Sequence, residues 1–158
     1  MATPPYGYRA YVARQWDVAD GFDLDAFLAL PLVAHVATSG PRVSPVWFLW
    51  EQRCFWWLTG DWSRMPAILA RDPEVAFVVD TCELATGRVL QVTARGEATV
   101  VAFDRDRARR KLARYLGQDE RSWDRHRFLE GTFENPAARF VRLRPEVLTA
   151  RDLSYHVG

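Results

Sequence analysis

The chain has 158 residues, of which 49% are hydrophobic and 26% charged, with a formal net charge of +1. That length suits one domain and that apolar content fills a core, so a disordered chain is excluded. The near-neutral balance excludes a global electrostatic pull toward nucleic acid or acidic membranes. Cys54 and Cys82 make no disulfide framework. The first residues lack the basic-then-apolar pattern of a signal peptide, and no run nears the ~18 apolar residues of a membrane span. A cytoplasmic setting is the resulting expectation.

Residues 1–20 carry Pro4, Pro5 and Gly7 among scattered aromatics such as Tyr8, Tyr11 and Trp16. They read as an N-terminal arm, and residues 21–158 as a single domain. Asp23 to Leu30 predicts a short helix capped by Asp23, with Leu24, Phe27 and Leu28 on one face and Pro31 as its stop. Leu32 to Thr38 and Arg42 to Trp50 predict a hairpin around Gly40-Pro41, in which Pro45 marks an edge or a bulge. A third strand, Arg53 to Leu58, follows a tight turn at Glu51-Gln52.

The stretch from Thr59 to Arg71 is the most suggestive. Gly60 breaks the apolar run Cys54-Phe-Trp-Trp-Leu58, Ser63 offers a hydroxyl where a helix begins, and Met65, Ile68 and Leu69 recur at helical spacing before Asp72-Pro73 stops it. A strand–loop–helix junction of this kind points free N–H groups and a positive dipole end at one place, which favours an anion. Arg64 adds a forked cationic donor, and Thr59 and Ser63 add hydroxyls. Pro66 removes one N–H. The plainer alternative is that Ser63 only caps the helix and Arg64 is a solvated charge.

Glu74 to Asp80 reads as a buried strand and residues 81–87 as a loop. From Arg88 to Phe103, apolar Leu90, Val92, Ala94 and Ala98 alternate with polar Gln91, Thr93, Arg95, Glu97 and Thr99. This is a strong strand signal, with a polar face turned to solvent or to a ligand. Asp104 to Leu116 predicts a helix with Ala108, Leu112, Tyr115 and Leu116 inward. Its basic residues Arg105, Arg107, Arg109, Arg110, Lys111 and Arg114 read as a solvated outer face rather than a nucleic-acid contact. A weaker helix, Asp119 to Gly131, and a last strand, Ala138 to Ala150, complete the chain. The fold class is mainly β with peripheral helices, a twisted sheet closing on itself as a small barrel.

His35, His126 and His156 have no metal-ligand spacing with each other or with the cysteines. No nucleophile elbow, dinucleotide fingerprint or phosphate loop occurs. Any chemistry is then expected from a bound cofactor rather than from a side-chain triad.

Gly40 to Phe48, Thr59 to Arg64 with its helix running to Pro73, and Leu90 to Gly96 together resemble the pyridoxamine 5′-phosphate oxidase-like superfamily of flavin-binding split barrels. The resemblance spans about residues 22 to 150 in order. It implies a six-stranded split β-barrel of the FMN-binding type, a homodimer with the cofactor in a groove between subunits, and a small-molecule substrate. Carried over by position, it implies that Val46, Trp47 and Phe48 line the isoalloxazine ring, Thr59 ends the third strand, Ser63 and Arg64 contact phosphate, and Gln91 reaches the flavin. Met65 stands where the family commonly has a phosphate-binding lysine, leaving Arg42 or Arg71 to compensate. The C-terminal Arg and His motif that holds vitamin B6 substrates is missing, so a true pyridoxamine-phosphate oxidase is not expected. The leading expectation is an FMN-dependent oxidoreductase with Trp47, Trp57 or Trp62 stacking on cofactor or substrate. The alternatives are an F420-dependent reductase on the same fold and a non-catalytic module for a planar ligand such as haem.

Overall fold

In the computed structural model, which describes residues 15–157, the elements run β1 (Gln15–Val18), α1 (Leu24–Leu28), β2 (Val33–Thr38), β3 (Arg42–Glu51), β4 (Cys54–Thr59), α2 (Met65–Arg71), β5 (Glu74–Glu83), β6 (Arg88–Ala102), α3 (Arg105–Leu116), β7 (Arg139–Leu143) and β8 (Val147–Asp152). A 3-10 turn, Glu120–Ser122, and a π-helix, Arg125–Phe133, lie between α3 and β7. The strands close in the order β6–β5–β2–β3–β4–β7 and back to β6, each pair antiparallel. The result is a six-stranded split barrel, mainly β with helices at the periphery, as the sequence predicts. Among the described residues no helix is long and apolar enough to cross a membrane.

The closure depends on β6, whose fifteen residues serve two partners along one edge. Leu90–Arg95 pairs with β8, and Ala98–Ala102 pairs with β7. The changeover falls at Gly96, where a Cβ would sit 3.2 Å from the Arg144 carbonyl oxygen. The chain turns there through Arg144, Pro145 and Glu146, and the Glu146 N–H donates to the Arg95 carbonyl at 2.9 Å. The single last strand expected over Ala138 to Ala150 is therefore two strands. Pro145 has no N–H to donate to a ladder.

Other boundaries shift for local reasons. The β3–β4 turn is Gln52-Arg53, with φ of 55° and 57°, so β4 starts at Cys54. The expected loop over 81–87 shortens because β5 continues to Glu83, paired with Arg88. The expected arm falls largely at residues 1–14, outside the described residues. Gln15–Val18 pairs in parallel with β8, and Trp16 lies 6.0 Å from Trp50 and beneath the Arg53 guanidinium.

The barrel interior holds Phe48, Phe55, Trp57, Phe77, Val36 and Leu143, all nearly or fully buried. Trp57 is 1% exposed, so it fills the barrel. The half of β3 from Arg42 to Trp47 pairs with β2 alone, because β4 reaches only Phe48 to Glu51. Pro45 sits on that free edge, where a missing N–H costs no ladder bond.

Candidate functional site

Beside the free edge of β3 lies a cavity of about 920 Å³. Ser44 to Trp47 of β3 form one wall and Trp57 to Thr59 of β4 another. Met65 and the loop before it, Lys111 and Leu112 of α3, and Phe128 and Thr132 of the π-helix complete the lining. The Asn135 amide donates to Asp61 at 3.1 Å, tying the segment after the π-helix to the β4–α2 loop.

That loop owes its shape to Gly60. A Cβ on Gly60 would penetrate the Trp62 ring, so only glycine lets the indole fold back onto the main chain. The Ser63 N–H donates to Gly60 at 3.2 Å, and the Ser63 hydroxyl oxygen accepts the Met65 N–H at 3.0 Å. The helix therefore starts one residue later than its capping pattern suggests, at Met65, with Arg64 as an N-cap that makes no side-chain cap bond. The Ser63 O–H proton remains free to donate to a ligand.

The structure divides the expected site residues. Val46, Trp47, Thr59, Ser63 and Met65 line the cavity. Arg42 and Arg64 line an adjoining groove of about 310 Å³ that shares Ser44, Ser63 and Met65 with it. Phe48 is fully buried in the barrel, and its main chain is occupied: its N–H donates to the Tyr115 hydroxyl at 3.0 Å, and its carbonyl accepts from Arg114 at 3.1 Å. Gln91 sits on β6 between Asp80 and Arg151 and lines neither space. Trp47 stacks on Tyr115, 4.5 Å away at 3°, and on Phe128, 5.8 Å away at 11°. Its indole is thus committed to the wall of the cavity, while Trp62 is 51% exposed.

Two residues of the β4 wall carry buried polar atoms without a partner. Trp57 Nε1 and Thr59 Oγ1 are buried with no hydrogen-bond partner among the described residues, an arrangement costing about 1–3 kcal/mol each unless something supplies the bond. Another polar group of the lining is Lys111. It was expected on a solvated face, yet it is 3% exposed, and burial, with the nearby Arg114 charge, pushes its ammonium pKa down to about 7. The other cations of α3 are also largely structural. Arg107 lies over Trp56 at 3.7 Å and pairs with Glu51, Arg110 pairs with Glu51 at 3.0 Å, and Arg114 donates to the carbonyls of Leu28, Leu30 and Phe48. Arg107, Arg110 and Arg114 thus reach β3, while Arg105 and Arg109 lie on the exposed side as expected.

The sequence pattern of pyridoxamine 5′-phosphate oxidase matches residues 23–151, which takes in the whole barrel and every wall of the cavity. The chain belongs to the pyridoxamine 5′-phosphate oxidase family. Solved structures agree on the fold. A conserved hypothetical protein of Mycobacterium tuberculosis is 19% identical over 90% of this chain and 94% of its own, with a TM-score of 0.66. The flavocytochrome of Azotobacter vinelandii is 15% identical over 83% of this chain and 66% of its own, at 0.63. An FAD-binding protein of Mesorhizobium loti is 17% identical over 82% of this chain and 91% of its own, at 0.57. No curated protein matches the chain by sequence. Met65, expected in place of a cation, is 7% exposed and packs into the barrel core while touching both cavity and groove.

Proposed function

We propose that this chain is a flavin-dependent oxidoreductase that holds FMN between two copies of itself and acts on a small molecule. The observation that carries the reading is the pairing of a roomy cavity on the open edge of β3 with a groove bearing two arginines. Neither Arg42 nor Arg64 has an ion-pair partner among the described residues. A phosphate suits that groove, since guanidinium forks match its oxygens and the Ser63 hydroxyl can donate beside them. A polar-edged flat ring suits the cavity, where the main chain along the open edge of β3 offers it hydrogen bonds. Flavin chemistry is also consistent with structural neighbours described as FAD-binding and as a flavocytochrome.

Bound flavin would supply the hydride or electron transfer. The protein's residues place it, with Arg42, Ser63 and Arg64 at the phosphate and the main chain of Ser44 to Trp47 along the ring. The aromatic wall of Trp47, backed by Tyr115, and Phe128 shields the ring from water, which strengthens each polar contact inside. Gln91 reaches the cofactor in this scheme only from the second copy, which is why a homodimer belongs to the proposal.

Titration with FMN tests it. The expected result is a yellow absorbance band with quenched tryptophan emission, and Arg64→Ala weakens binding at least about tenfold through loss of a charge-assisted pair. Protein that neither gains the band nor quenches with FMN refutes the reading, and quenching by F420 alone transfers the site to the deazaflavin. A monomer in sedimentation that retains full FMN affinity removes the second copy from the site.

A further inference from the structure

Twenty of the twenty-one Lys and Arg residues are arginine, and the one lysine is Lys111. It is also the cation buried most deeply in the large cavity, on the stripe of α3 that faces β3. Its Nζ lies 5.8 Å from the ring centroids of both Trp47 and Tyr115. Among the described residues it makes no hydrogen bond or ion pair.

The charged and titratable groups around it make the omission plain. Its own helix presents Arg114 and Tyr115, the π-helix presents Asp124, His126 and Arg127, and the β4–α2 loop presents Asp61, while the β3 and β4 walls carry no charge. Asp61 is engaged by Asn135 and His126 by Glu130. No carboxylate neutralises the amine; the one charge that acts on it strongly is the like charge of Arg114. An arginine here would stay charged at any pH, whereas a lysine can shed its proton when buried. The fold is thus complete without a counter-ion for the amine, and the cavity beside it is open.

We propose that Lys111 is the anion anchor of this cavity, binding a small apolar substrate that carries one oxyanion and supplies the counter-charge the protein withholds. Calling that molecule the substrate rests on the flavin reading; the anchor itself does not. The pocket dictates the class. Val46, Leu58, Leu112, Met65 and Phe128 offer apolar contact, and one amine balances one negative charge. Because burial favours the neutral amine in the empty site, the amine takes up a proton from solvent as the anion binds, and affinity falls about tenfold per pH unit above the empty-site midpoint.

The sole lysine makes the test direct. Protein grown on lysine labelled with ¹³C at Cε has one lysine signal, followed through a pH titration alone, with FMN, with 2-naphthoate, and with the uncharged 2-naphthamide. The expected result is that 2-naphthoate raises the Lys111 midpoint by a unit or more and the amide leaves it in place. Lys111→Met, with unchanged circular dichroism, binds the naphthoate at least tenfold more weakly and the amide equally. The proposal is overturned if the empty-site lysine titrates in the ordinary range of free lysine. It is also overturned if 2-naphthoate binds without moving the signal, if Lys111→Met keeps full affinity, or if 2-naphthoate, benzoate and phenyl phosphate all leave the signal unmoved. If FMN alone moves the signal and blocks 2-naphthoate, the anchor serves the cofactor and the substrate assignment falls. If FMN fails to bind while 2-naphthoate still moves the signal, the flavin reading falls and the anchor stands.

Discussion

Replacing Lys111 by methionine should make the protein more stable, by an amount that depends on pH. In the unfolded chain the amine titrates near 10.5, and in the fold near 7. The folded pKa is lowered, so between these values the unfolded chain holds a proton that the folded chain has shed. Stability of the parent protein then rises with pH across this window, by up to about 1.4 kcal/mol per unit. Below about pH 7 both states are protonated, and the full cost of a charged amine buried between α3 and the barrel is present, on the order of 5 kcal/mol for a shift of this size. At 3% exposure water screens little of it. Methionine is of similar length, keeps the contacts with Trp47 and Leu112, and has no proton to lose. Urea unfolding of parent and variant from about pH 6 to pH 9.5 checks this. The expected gap is several kcal/mol in favour of Lys111→Met at the acid end, closing steadily as pH rises. The difference between the two proteins cancels other titrations, such as that of Tyr115, whose pKa burial raises. Parallel stability curves, or a variant no more stable than its parent at neutral pH, would show that the amine reaches water or a carboxylate and refute the reasoning.

Tyr115→Phe removes the hydroxyl that accepts from the Phe48 N–H and bonds the Leu32 carbonyl at 2.8 Å; the orphaned N–H costs about 1–3 kcal/mol in chemical denaturation. Glu51→Gln probes the clamp between β3 and α3. Burial acts to raise this carboxyl's pKa, but hydrogen bonds from Arg110 and Arg107 outweigh it and leave the pKa lowered. That stability is present above the unfolded value of 4.5 and is lost as pH falls through the folded value, so the variant should lose stability at neutral pH and match the parent in acid. Gly87→Ala should loosen the C-terminal segment, because φ is 69° and a Cβ there would strike the Tyr155 carbonyl oxygen; faster amide exchange at Tyr155, whose N–H donates to Gly87 at 2.9 Å, is the readout. Arg53→Gly sets a gain against a loss in thermal unfolding. It relieves a left-handed residue worth roughly 1–2 kcal/mol but removes the guanidinium lying 3.9 Å from the Trp16 ring centroid, so the net change in midpoint is small.

Much of the barrel was legible along the chain because its signals are local. Alternation marked β6, Gly40-Pro41 marked the first hairpin, and Asp23 and Asp104 marked helix starts whose side chains do accept from Ala26 and Arg107. The candidate site was legible in part, at Val46, Trp47, Thr59, Ser63 and Met65, which one loop and two neighbouring strands bring together. Arg42 and Arg64 line the adjoining groove rather than the cavity. Phe48 lies outside both spaces, and its main chain bonds Tyr115 and Arg114, which lie some sixty-odd residues further on. Lys111 did leave a trace. It sits three residues after Ala108, one before Leu112 and four before Tyr115, in the middle of the inward stripe, but its charge argued for solvent.

What the sequence determined alone is therefore the menu of elements and most of their ends, since alternation, caps, glycine and proline act through the few residues around them. Where β6 changes partners at Gly96, that β7 closes the ring, and that Arg107, Arg110 and Arg114 reach β3 while Lys111 lines a cavity were decided only in three dimensions. The physical reason is that a charge's surroundings are set by whatever elements pack against it, and those partners lie tens of residues away in the chain.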